Sequence, residues 1–325
     1  MFKILNISDN MINDKKYGGE LDVKLIDGKL EEFYHRTHPG VTIAGTNFLM
    51  KLNLPALRIL CELFYDGLCE AFGVPFAKSF PIEYNDTFGL CVEDFLKDNE
   101  KFVSLKDVDI GKPIYCEEPY KGWEVMCSDA SISDEDYSRG RDYITKILLA
   151  DTLMCCQDRT PTNIGYIQYF GIDESRPLCR LAPAFDNSDC MIFDFNFIDC
   201  KDLDKYLKKN ADILIMRSTI GILICKSSYY KVANHIIHEL YGDLHIDEFM
   251  CNNSKTKELH DEVVLAIEHA YNYTIQFLTN DNLQLAKYIS VICYLRFLNF
   301  FGYEKFNNMQ AKYRFFELIM KFVRG

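Results

Sequence analysis

Residues 141–170, RDYITKILLADTLMCCQDRTPTNIGYIQYF, and residues 177–189, PLCRLAPAFDNSD, decide how this chain is read. Three polar residues stand out against apolar neighbours: Asp158, Asn163 and Asp186. Asp158 and Asn163 bracket the turn-forming run DRTPTN. An apolar helical run (Ile144, Leu148, Leu149, Thr152, Leu153) precedes it, and the pattern predicts two strands after it, IGYIQYF and LCRLAP. Asp186 lies just past the second strand. A tight hairpin would bring it back beside Asn163. Asp, Asn, Pro and Thr on their own make ordinary turns; the hairpin and the LAPAFD ending are what point to chemistry.

That chemistry is phosphoryl transfer from ATP with Mg²⁺. Mg²⁺ is small and hard, and takes oxygen from one or two side chains plus phosphates and water. Asn163 and Asp186 are the expected metal ligands. Asp158 is the expected catalytic base, orienting the attacking hydroxyl and accepting its proton. Protein kinases divide the work in this way, with a loop Asp, an Asn five residues later and a metal-binding Asp beyond.

Working outward, residues 1 to about 53 read as β structure, with strand candidates FKILNI, LDVKLI and TNFLMKLN and an Asp-Gly hairpin signal in IDGKL. Phosphates need close backbone approach, which Gly permits. Two loops compete for that place: Gly18-Gly19, and Gly40 to Gly45. Lys51 in FLMKL is the best candidate for a phosphate-pairing lysine, ahead of Lys24 and Arg36. Against it, the connection to the next helix is very short, and a plain edge-strand lysine is the alternative. Pro55 opens that helix and Gly73 ends it. Leu57, Leu60, Phe64, Leu68 and Ala71 keep helical spacing and predict its core face. Glu62, inside this helix, stands where a kinase keeps the Glu that pairs its lysine; a solvent-facing Glu is the ordinary alternative. VPFAKSFPIEY and FGLCVEDFL read as two more strands. CVEDFL then connects the lobes, placing Glu93 and Phe95 near the adenine.

Residues 97 to about 140 look polar and irregular, and the acidic SDEDY piece reads as a solvated loop or helix start. Beyond Asp189, five segments show apolar positions near helical spacing, from DLDKYLKKNADILIMRS to NMQAKYRFFELIMKFV. The expected architecture is α+β and bilobed, protein-kinase-like. A small β-rich nucleotide-binding lobe with one long helix spans residues 1–96, and a larger, mainly helical catalytic lobe spans 97–325.

QDRTPTNIGYI followed by LAPAFDNSD resembles the catalytic segment of the HipA-like serine/threonine kinases, bacterial enzymes of toxin type. Asp151 fits the Asp that their preceding helix often carries. Cys156 stands where the family often has Asn, and Thr160 where it usually has His. The resemblance implies Asp158 as base and Asn163 and Asp186 as metal ligands. It favours Tyr17-Gly18-Gly19 over the second glycine loop. It also implies a protein substrate with a Ser or Thr acceptor, or the kinase itself, and a role as the toxin of a toxin–antitoxin pair or as an effector on host proteins.

Composition narrows the classes. The chain has 325 residues, 48% hydrophobic and 26% charged, enough for a sizeable core. A net charge of −12 with no long Lys/Arg run argues against nucleic acid as a direct partner. Thirteen scattered cysteines in apolar contexts suit reduced thiols and a cytoplasmic protein. MFKILNISDN is not patterned as a signal peptide, and no apolar run reaches the length of a membrane span. His235, His238 and His245 lack HExxH spacing and fit a polar helix face. A small-molecule kinase of the aminoglycoside or choline type would show the same loop residues. A nucleotide-binding pseudokinase is the other alternative, given the departures at Cys156 and Thr160.

Overall fold

The computed structural model describes residues 2–17, 21–26, 29–34, 38–54, 56–110, 117–128, 130, 132–156, 159–169, 177–187, 190, 229–242, 244–279 and 283–301. Asp158, Gly18, Gly19, Arg36, the Asp27-Gly28 turn and the helices expected over 202–218 and 308–323 lie outside them. The described chain is mixed α+β.

A six-stranded sheet comes first. It is built from β1 (Leu5–Asn6), β2 (Ile12–Tyr17), β5 (His38–Ile43), β6 (Thr46–Leu52), β7 (Ser79–Tyr84) and β8 (Thr87–Glu93), in the order β1-β7-β8-β6-β5-β2. β1 runs parallel to β7, and the other pairings are antiparallel. β3 (Leu21–Ile26) and β4 (Lys29–Tyr34) form their own antiparallel ribbon between β2 and β5 in sequence. The FKILNI strand is thus shorter than its apolar pattern suggests. Gly45, at φ 83, with Ala44 at φ 51, makes the two-residue turn of the β5–β6 hairpin. Positive φ at both positions is what such a turn asks for, so Gly45 serves a plain hairpin.

α1 (Ala56–Phe72) follows β6 after a short connection that Asn53 turns with φ 59. Gly73, at φ 68, ends it, and the Val74 N–H returns to the Cys69 carbonyl at 2.9 Å, the left-handed helix ending that Gly permits. α1 is buried on nearly every side from Ile59 to Cys69, while Ala71, expected in its core face, is exposed. A second layer explains this. Helices α4 (Tyr229–Tyr241), α5 (Ile246–Cys251), α6 (Asn253–Ile275) and α7 (Leu283–Phe300) lie beyond the sheet in sequence, and α6 packs along α1. At the crossing, a Cβ on Gly67 would stand 2.7 Å from the Ala270 Cα. His269 Nε2 and Glu70 Oε2 meet at 2.7 Å beside it.

The stretch read as irregular holds structure. β9 (Glu100–Ser104) pairs with β10 (Gly165–Tyr169), which pairs with β11 (Leu178–Leu181), all antiparallel. α2 (Glu118–Ser128) and α3 (Asp134–Met154) lie between β9 and β10 in the chain. The acidic piece is the start of α3. Ser133 caps it, accepting from the Asp136 N–H at 3.1 Å, and Asp134, Glu135 and Asp136 fill the first turn, where the helix dipole favours negative charge. β10 and β11 do pair as expected, but the connection spans residues 170–177 rather than a tight turn.

Candidate active site

α3 ends at Cys155, φ 51, with the Cys156 N–H on the Asp151 carbonyl at 3.0 Å. The chain then enters the segment of Asp158. Cys156 forms an isolated antiparallel bridge with Cys190, which closes the loop against the segment past Asp186. On the other side, Gly165 starts β10 so close to β9 that a Cβ would meet the Val103 carbonyl at 2.5 Å. Only glycine fits the approach that sets Asn163 at the mouth of the hairpin.

Arg159, next to the expected base, is 1% exposed and holds the region together. Its Nε donates to Asp151 Oδ2 at 3.1 Å, and its Nη2 donates to Asp151 Oδ1 at 3.1 Å and to the Tyr65 hydroxyl at 3.0 Å. Nη2 also donates to Asn187 Oδ1. Nη1 donates to two carbonyls, Asn163 at 3.0 Å and Phe185 at 3.1 Å. A single guanidinium nitrogen thus bridges Asn163 to the residue before Asp186. Burial works against the Arg159 charge, but Asp151 and then Tyr65 hold the proton above its ordinary affinity.

Asp186 follows at φ 55, in the left-handed region. Its Oδ1 accepts from Lys51 Nζ at 2.6 Å. β6 delivers that lysine from the middle of the sheet, paired with Leu90 of β8, so it is a central-strand residue and not an edge one. Glu62 of α1 belongs to the same cluster. Its Oε1 accepts from the Asn187 N–H at 3.1 Å, while its Oε2 is buried with no hydrogen-bond partner among the described residues. Asp66, one turn further, accepts from the Ser79 N–H at 3.0 Å and from its hydroxyl through Oδ2, and its Oδ1 has no such partner either.

The electrostatics follow from that geometry. Burial drives the Glu62 carboxyl up, and Lys51 only partly opposes it. Burial, with Glu62 adding to it, drives Asp66 well up. For Asp186, burial also pushes upward, but the Lys51 charge and hydrogen bond win and hold it below the usual carboxylate range. For Lys51, burial pulls down, and Glu62 and then Asp186 outweigh it, so its proton is held more tightly than usual.

Lys51, Glu62, Asp186 and the Asn163 backbone are therefore brought into one connected site. Phe95 sits at its edge: its ring lies 5.4 Å from that of Phe185, which in turn meets Phe102 edge-to-face at 5.5 Å. Glu93 closes β8, and its N–H already donates to the Lys78 carbonyl at 2.9 Å, so that donor is not free for a purine. Thr160, at the expected His position, pairs its hydroxyl with that of Thr162 at 2.6 Å. Four contributors escaped the sequence reading: Arg159, Tyr65, Asp66 and Asn187. A signal existed for two of them. Glu62, Tyr65 and Asp66 are polar groups at helical spacing in an otherwise apolar helix, and buried charges there must have partners.

No protein-family model matches the chain, and no curated protein matches it. Solved structures do. A Helicobacter pylori proinflammatory kinase, CtkA, aligns at 14% identity and TM-score 0.48, over 86% of this chain and 94% of that one. Shewanella oneidensis HipA, solved in a toxin–antitoxin complex with HipB and operator DNA, aligns at 10% identity and TM-score 0.48, over 88% of this chain and 63% of that one. These are distant likenesses; the side chains of the site carry the functional reading by themselves.

Proposed function

We propose that the chain is an ATP- and Mg²⁺-dependent phosphotransferase, a bilobed serine/threonine protein kinase of HipA-like type. The observation that supports this best is the Lys51–Asp186 contact, with Glu62 of α1 behind it and Asn163 locked to the same node by Arg159. The donor set suits the metal. Asp186 is held anionic, Asn163 offers a neutral amide oxygen, and hard oxygens are what Mg²⁺ takes. Lys51 faces three carboxylates, two of them with a buried oxygen lacking a partner. A divalent cation with nucleotide phosphates would complete that arrangement.

Bound Mg²⁺-ATP supplies the transferable phosphoryl group and neutralises charge developing on it. The protein's own residues do the rest. Asp186 and Asn163 hold the metal. Lys51 offers its ammonium to the phosphates, and Glu62 keeps that ammonium aligned. Asp158 accepts the proton of a Ser or Thr hydroxyl, on a partner protein or on the kinase itself. The test is transfer of a labelled γ-phosphate to the chain and to a panel of protein acceptors. Asp158→Ala should lower transfer by about 10²–10⁴-fold, the usual range for a lost general base. Undiminished labelling would overturn the assignment.

A further inference from the structure

Away from the nucleotide site, two thiols face each other. Cys127, near the end of α2, and Cys179, in β11, have their sulfurs 3.8 Å apart. Both side chains are mostly buried, at 9% and 6% exposure. The Cys127 end is not sealed. A surface cavity of about 240 Å³ is lined by Cys127 together with Glu124, Ser128, Ser133, Asp134 and Tyr137. Cys156 and Cys190 make a second described pair, but both are buried and burial with the Cys156 hydrogen bond pushes Cys190 well up. Cys61, Cys91 and Cys293 are buried thiols that burial pushes up. In Cys179 the hydrogen bond from Cys127 outweighs burial and lowers the thiol, while the same contact raises Cys127. The two sulfurs are hydrogen-bonded to each other, and one of them borders a cavity.

We propose that Cys127 and Cys179 are a thiol redox pair, which a small-molecule disulfide entering the cavity beside Cys127 converts into an internal disulfide. The steps balance. Cys127, its proton passed to solvent, attacks one sulfur of a disulfide such as oxidised glutathione. The attacked S–S bond breaks, one thiolate leaves and takes up a proton, and a mixed disulfide remains on Cys127. Cys179 as thiolate then attacks the Cys127 sulfur and expels the second thiol. Two protein thiols are oxidised and one small disulfide is reduced to two thiols. Sulfurs must close to about 2.0 Å, which from 3.8 Å asks for side-chain rotation at the two cysteines. The product ties α2 to the strand that leads into Asp186. None of this rests on the phosphotransferase reading, and its test uses no nucleotide.

The test takes the whole reduced chain to equilibrium with glutathione mixtures of rising oxidation, followed by acid quench, alkylation and peptide mass spectrometry. The expected product is a peptide linked Cys127 to Cys179. In Cys179→Ser the reaction should stop at glutathione on Cys127. The exposed Cys251 serves as the control that oxidant was sufficient. The proposal is overturned if Cys127 and Cys179 still alkylate as free thiols once Cys251 is fully modified, or if either links to a different cysteine. Should Cys179→Ser fail to fold, the wild-type linkage decides alone.

Discussion

Two buried ionic clusters sit side by side against α1, and they are finished to different degrees. Around Arg159 every nitrogen of the guanidinium has a partner: Asp151, Tyr65, Asn187 and the carbonyls of Asn163 and Phe185. Around Lys51, Glu62 and Asp66 each keep a buried oxygen with none among the described residues. Buried polar networks are stabilising only when complete, and an incomplete one is unfavourable in a low-dielectric interior. The complete cluster is scaffold: it fixes where Asn163 and Asp186 stand. The incomplete one is where the proposed function would put its ligand.

The sharpest way to break that contrast is Arg159→Met. It leaves Asp151, 0% exposed, without its cation, and stranding a buried charge costs about 3–5 kcal/mol. Chemical denaturation should show a loss of that order together with lost phosphoryl transfer. Near-native stability would mean that Arg159 is not the keystone.

Lys51→Met should behave in the opposite sense. Its nearest partner, Asp186, is 37% exposed at the side chain, so water can solvate the carboxylate left behind. Glu62 can take up a proton. The fold should survive, while transfer drops by about 10²–10³-fold, as when one preorganised charge is removed. Steady-state rates beside a melting curve check both halves.

Gly67→Ala tests whether α1 is held by α6. The added Cβ would press within 2.7 Å of the Ala270 Cα, and overpacking of this kind costs about 1–3 kcal/mol. Because α1 carries Glu62, the substitution should also weaken nucleotide binding. A fully active variant of unchanged stability would detach the helix crossing from the site.

The smallest expected effect concerns pH. Glu62 and Asp66 have folded-state values raised above their unfolded ones. The stability they contribute is therefore complete below the unfolded carboxylate range and is lost as pH rises through the raised values. Melting temperatures measured from mildly acidic to mildly alkaline pH should fall more for the wild type than for Asp66→Asn, which cannot ionise. Parallel curves would contradict the raised Asp66.

The sequence pointed to most of the residues that the structure brings together, and to little of what supports them. Asn163 and Asp186 announced themselves as polar residues at the ends of apolar segments, and Lys51 and Glu62 as charges inside an apolar strand and helix. Arg159 did not, because an arginine beside a loop aspartate looks like any surface arginine until Asp151 and Tyr65 fold around it. Asn187 reads as a turn residue for the same reason. β9 and α2 were missed because their residues are half polar: Lys101 and Lys121 face solvent while Ser104 and Trp123 are buried, and only the tertiary fold tells which is which. Ala71 erred the other way, since helical spacing alone cannot say where the partner helix stops.

The most direct test of the unfinished cluster is ligand-induced stabilisation. Wild-type chain and Asp186→Asn would be melted with ATP, with and without Mg²⁺. Binding to the folded state alone must raise the melting temperature. A rise for wild type that needs Mg²⁺, and is lost in Asp186→Asn, is the predicted result. No rise at all, or one indifferent both to the metal and to residue 186, would contradict it.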